Sequence, residues 1–196
     1  MKYLLSISIF IIILFFAACE ISNQSAPTVS EKDKEVYLQK GAAIASATFA
    51  TLSGNLQKAM QAGGVPNAVK YCNLAAFPLV DSLSQVHKAK IKRTSLKVRN
   101  SKNQPTSMEL RQLKSYRKQE ASGEKLNASV IAIDEQKVAY YAPIQMMTLC
   151  EKCHGKIGES LLKKDYEVIK NLYPKDEAIN YTNGDWRGMW SITFEK

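Results

Sequence analysis

The run Cys150-Glu151-Lys152-Cys153-His154 constrains this chain more than any other feature. Two thiols separated by two residues, followed at once by an imidazole, form the attachment pattern of a c-type haem. The spacing has a chemical cause. Two thiols at that separation reach the two vinyl groups of one macrocycle as thioethers, and the next residue lies under the iron as its proximal ligand. The motif therefore assigns Cys150 and Cys153 to covalent attachment of one haem c and His154 to the iron. With four cysteines and two histidines in 196 residues, chance rarely builds this pattern. Two other uses of the thiols have less support. A redox dithiol wants a thioredoxin-like setting, and a tetrahedral zinc site drawn from Cys72, His87, Cys150 and Cys153 lacks paired-knuckle spacing.

The N-terminus fits that chemistry, because c-type haem is attached outside the cytoplasm. Met1-Lys2 opens an apolar stretch from Tyr3 to Ala18, broken only by Ser6 and Ser8. The run is short for a membrane span and suits an export signal. It ends in Phe16-Ala17-Ala18-Cys19, the small-residue pattern of a bacterial lipobox, in which Cys19 receives the lipid. The expected organisation is a lipoprotein signal peptide over residues 1–18, a Ser-, Asn-, Gln- and Pro-rich tether over 19–32, and one domain over 33–196. An exported protein lipid-anchored on the periplasmic side of a bacterial membrane is the reading. Nucleic acid is excluded as a partner by export, although the net charge is +9. That basic surface suits anionic lipid, an acidic redox partner or plain solvation.

The second axial ligand is less determined. Met146 and Met147 lie too close to Cys150 to cross to the opposite face, which leaves His87, Met60, Met108 and Met189. Cys72 is an unpaired cysteine in an oxidising compartment once the other three are assigned. Spacing leaves it open between a buried inert thiol and an iron ligand.

Along the chain, apolar residues recur at helical spacing from Asp33 to Gln61, Gly63-Gly64 stops the helix, and Pro66 opens another through Cys72. Pro78 is expected to interrupt that second helix before it resumes through Leu83 to His87. Ile91 to Arg99 alternates as a strand, Asn100 to Pro105 is a loop, and Thr106 or Ser107 caps a helix to about Gln119. Ser129 to Asp134 and Lys137 to Ile144 read as paired strands. Ile157 to Lys170 reads as a helix, and Asn183-Gly184-Asp185 turns into a last strand, Trp190 to Phe194. The order gives an α+β fold.

Four stretches carry a family resemblance: Ala68-Val69-Lys70-Tyr71-Cys72; Arg93 to Asn100 with Pro105 beyond; Tyr141-Ala142-Pro143-Ile144 leading into Cys150 to Gly155; and Tyr173-Pro174 through Gly184-Asp185-Trp186-Arg187-Gly188-Met189-Trp190-Ser191. In this order they resemble the Tll-type family of c-haem proteins with a periplasmic PAS-like sensor domain. Ser101 departs from it, standing where the family usually has proline. The resemblance implies a PAS-like antiparallel sheet with an N-terminal helical pair and inserted helices. It also implies a cysteine opposite the histidine, and that cysteine falls on Cys72.

A thiolate donor stabilises ferric iron, so the expected potential is low, and a thiolate released on reduction would open a position for CO or NO. Arg93, Arg99 and Arg187 are candidate contacts to the thiolate or the haem propionates, or else surface and sheet residues. Two functional classes follow: a redox or gas-sensing module that needs a signalling partner, and a lipid-tethered electron-transfer cytochrome. Enzymatic activity is not expected, since His87 is the only obvious spare histidine for acid–base work. Trp186, Trp190, Tyr140 and Tyr141 are expected in the core or against the haem.

Overall fold

The computed structural model describes residues 27–196, so the leader and Cys19 lie outside the described residues. No described helix is long and apolar enough to cross a membrane.

Helix α1 (Glu31–Leu74) starts where Ser30 Oγ accepts the Asp33 N–H at 3.1 Å. Glu31 and Asp33 add negative charge at the positive end of the helix dipole. Its first arm buries Ile44, Ala45, Thr48 and Leu52 along one face. Gly63 and Gly64 then leave helical geometry, with Gly64 at φ 65°. Asn67 Nδ2 spans the break and donates to the Ala59 carbonyl at 2.8 Å. Pro66 lies just past this break, where a missing N–H costs little. The expected break at Pro78 is absent. The chain turns at Ala75 instead, and α2 (Ala76–His87) carries Pro78 in its first turn, where a proline removes no helical hydrogen bond.

Four strands follow, β1 (Ala89–Thr94), β2 (Ser129–Ala132), β3 (Lys137–Gln145) and β4 (Trp186–Glu195), in one antiparallel sheet of order β1-β4-β3-β2. Alternation divides its side chains. Val138, Tyr140, Trp190, Ile192 and Phe194 face α1 and α2, whereas Ala139, Tyr141 and Met189 pack on Leu113 and Tyr116 of α3 (Ser107–Ala121). The expected α+β fold, with an N-terminal helical pair and helices inserted between strands, is the fold observed.

Three expected boundaries move. Strand β1 ends at Thr94, not Arg99, because Ser95 Oγ donates to the Arg187 carbonyl at 2.7 Å and accepts the Lys97 N–H at 3.1 Å, turning the chain away. Helix α5 (Lys163–Leu172) starts later than Ile157, since Gly158 is left-handed at φ 84° and Ile157 bridges Leu161. Strand β4 begins at Trp186 rather than Trp190, because Gly188 and Trp186 continue the ladder with Ile144 and Gln145 of β3.

Thr106 and Glu109 form a capping box at the start of α3. Glu109 also accepts from Lys92 Nζ at 2.7 Å, tying α3 to β1. Burial works to raise the Glu109 pKa, but the Lys92, Thr106 and Ser191 donors outweigh it and hold it below the ordinary value. An unfolded glutamate takes its proton near about pH 4.3, the folded one only below that. The unfolded state thus binds more protons in that interval, and stability falls as pH drops through it. Glu109→Gln is expected to cost about 1–3 kcal/mol at neutral pH and to flatten this acid limb in thermal melts.

Candidate functional site

Beyond β3 the chain makes a 3-10 turn, Thr148–Cys150, and a single helical turn α4 (Glu151–His154). This places Cys150, Cys153 and His154 along one wall of a partly open cavity. The second arm of α1 brings Cys72 to the same cavity, and Arg93, Arg99 and Arg187 line it as well. Leu52, Val69 and Trp190 give it apolar walls.

His154 Nδ1 is 2.8 Å from the Ala178 carbonyl. A carbonyl only accepts, so Nδ1 carries the proton. Burial, with Arg99 and Arg187 nearby, pushes the His154 pKa well below its usual value. The ring is therefore neutral, and its Nε2 keeps a lone pair, the form that binds metal.

Burial pushes the Cys153 thiol up to about 11, against a smaller opposing effect of Arg99. A working redox dithiol needs a lowered thiol pKa, so this environment disfavours that use. Cys72 is also raised by burial, with Arg93 and Arg99 acting in the opposite sense. Cys72, Cys150 and Cys153 are all free. Among the described residues, no cluster of three or more His, Cys, Asp or Glu forms a metal cage, which leaves the zinc alternative without a site.

The arginines differ in what they do. Arg99 forks onto Asp176, at 3.1 Å from Nε to Oδ1 and from Nη2 to Oδ2. Its Nη2 also donates to the Cys153 carbonyl at 2.6 Å and the Ala178 carbonyl at 3.2 Å. Arg187 Nη1 donates to the Lys97 carbonyl at 3.0 Å, while its Nε is buried without a partner among the described residues. Arg93 lies over the Trp190 ring, 5.9 Å from its centroid, and has no carboxylate partner among the described residues.

Of the other candidate ligands, Met60 lines the cavity, whereas His87 and Met108 do not; Met146 and Met147, set aside for their closeness to Cys150, also line it. Met189 is fully buried on the α3 side of the sheet. Of the four aromatics, Trp190 lines the cavity; Tyr140 packs on α1 and α2, and Tyr141 and Trp186 on α3. Asp176 and Ala178, which hold Arg99 and His154, carried no signal in the sequence, because their role depends on a contact between distant loops.

These features define an α+β domain built around an apolar, cationic, sulfur-bearing ligand pocket. The chain belongs to the Tll0287-like family, whose profile matches residues 22–194. A cyanobacterial protein described as the heme-protein Tll0287 has the same fold in its crystal structure, with TM-score 0.57 and 18% identity, covering 86% of this chain and 98% of that one. No curated protein matches the chain.

Proposed function

We propose that this protein holds one haem c, attached by thioethers at Cys150 and Cys153 and ligated by His154 and Cys72, and serves as a lipid-anchored redox or gas-sensing module outside the cytoplasm. The observation that carries the reading is that Cys72, distant in sequence, meets Cys150, Cys153 and His154 on one cavity. The resemblance to a cyanobacterial heme-protein supports it.

The pocket fits the group chemically. A macrocycle needs apolar walls, which Leu52, Val69 and Trp190 supply. Its iron needs an imidazole lone pair, and His154 is neutral with Nδ1 already engaged. Its propionates need cations, and the buried Arg187 Nε and Arg93 lack anionic partners among the described residues. When bound, haem c supplies a one-electron couple.

The chain's own groups tune that couple. Cys72 offers an anionic donor that favours the ferric state, so the potential is low beside a His/Met site. Arg93 and Arg99 favour its thiolate against burial. Cys19, as the lipid carrier after a leader over residues 1–18, would tether the domain to a bacterial membrane on the periplasmic side. The partners of this reading are a redox or signalling protein and a diatomic gas.

The test is expression with c-type maturation machinery, followed by haem staining after denaturing electrophoresis. Wild type should retain haem. Cys150→Ser/Cys153→Ser should lose more than about nine-tenths of it, since thioethers alone survive denaturation. A wild type without bound haem overturns the proposal.

The basic charge of the chain favours a second reading, a tethered electron carrier. Rapid, salt-dependent exchange with an acidic redox protein supports the carrier; fast ligand binding with little electron exchange supports the sensor.

A further inference from the structure

We infer that Asp176 is a positioning residue that governs, through Arg99 and the placement of the Ala178 carbonyl, how strongly His154 donates to its metal; this rests on the haem reading above. Asp176 neither lines the cavity nor touches the His154 ring, and its side chain is 0% exposed. Its effect runs through two paths. Asp176 Oδ1 accepts the Ala178 N–H at 2.9 Å, and both carboxylate oxygens accept from Arg99.

The Ala178 carbonyl is the shared acceptor. It receives His154 Nδ1–H at 2.8 Å and Arg99 Nη2–H at 3.2 Å. The two donors compete for that one oxygen. A cationic donor on the same oxygen draws electron density away and weakens the His154 hydrogen bond. Asp176 tempers that pull by accepting from Arg99 with both carboxylate oxygens, and its bond to the Ala178 N–H, in the preceding peptide, holds in place the residue that carries the shared oxygen. Asp176 therefore pushes His154 toward imidazolate character and toward ferric iron, and Arg99 opposes it. The unit is held close to the ring. Arg99 also bonds the Cys153 carbonyl, and the Tyr181 N–H donates to the His154 carbonyl at 3.0 Å.

A knot that only fixed the loop would give a different result on mutation. Asp176→Asn, Asp176→Glu and Arg99→Gln should be compared with wild type, all haem-loaded. The readouts are midpoint potential and exchange of the His154 Nδ1 proton in reduced protein under CO, using nitrogen-labelled histidine. The chain has only two histidines, so assignment is direct.

Asp176→Asn is expected to raise the ferrous-to-ferric ratio at fixed ambient potential about tenfold, about 59 mV for one electron. Its Nδ1 proton should exchange at least about tenfold faster. Arg99→Gln should shift the potential downward, and Asp176→Glu should restore most of the wild-type value. Lower thermal stability with unchanged potential and unchanged exchange overturns the inference, as do potential shifts of the same sign. If Arg99→Gln does not fold, the Asp176→Asn and Asp176→Glu pair decides it by the same readouts. Wild type that carries no covalent haem fails differently, removing the haem reading and this inference together.

Discussion

Replacing Cys72 by alanine in the haem-loaded protein is expected to abolish thiolate features in the ferric absorption spectrum and to raise the midpoint potential. The shift should reach roughly a tenth of a volt or more, because axial ligand identity spreads haem potentials over about 0.8 V. Burial pushes the Cys72 thiol up against Arg93 and Arg99, so an anionic sulfur here depends on the iron it would ligate, and the mutation removes that negative charge from the haem-loaded site. CO should also bind the reduced mutant faster than wild type, since no endogenous sulfur from position 72 then competes. Matching spectra in wild type and mutant would sink the Cys72 assignment. The search would then fall on Met60, which shares the cavity, rather than on His87, Met108 or Met189, which do not.

The largest effect on stability is expected at Gly41→Val. A Cβ at position 41 would collide with the Tyr140 ring, so α1 approaches β3 at this point only because glycine has no side chain. Tyr140 is 3% exposed within the core between helices and sheet, and it has no room to retreat. The cost should be about 3 kcal/mol or more, at the upper end of overpacking effects. Gly54→Ala is the control on the same helix. Nothing lies within 4 Å of its added Cβ, and helix propensity predicts a gain of about 0.5–1 kcal/mol. Urea unfolding of both variants checks the pair. Equal midpoints would mean that α1 does not pack on the sheet as described.

Local chemistry determined what the sequence could show. The Gly63-Gly64 break, the Thr106 cap and the paired strands β2 and β3 arise from neighbouring residues, and all were legible. Pro78 misled because proline has a different meaning in a first turn than in a helix interior, and the chain alone did not say where α2 starts. The end of β1 at Thr94 depends on Ser95 meeting the Arg187 carbonyl, 92 residues away along the chain. The site divides in the same way. The C-x-x-C-H turn is local and was read directly, whereas Cys72 stood out only as an unpaired thiol and the family resemblance was needed to favour it as a ligand. Asp176 was invisible, because its importance lies in two loops that meet only in the folded state.

Burial of Cys153 has a consequence for how such a protein is made. In the folded chain its thiol is half-buried, held in the neutral form by burial, and its carbonyl is fastened by Arg99 from a distant segment. Forming a thioether there needs an accessible sulfur and room for a synthetase to grip the motif. On the haem reading, loading therefore comes before the second arm of α1 closes over the turn. A chain that crosses a membrane unfolded has such an interval, and biogenesis becomes a race between the attachment enzyme and the fold.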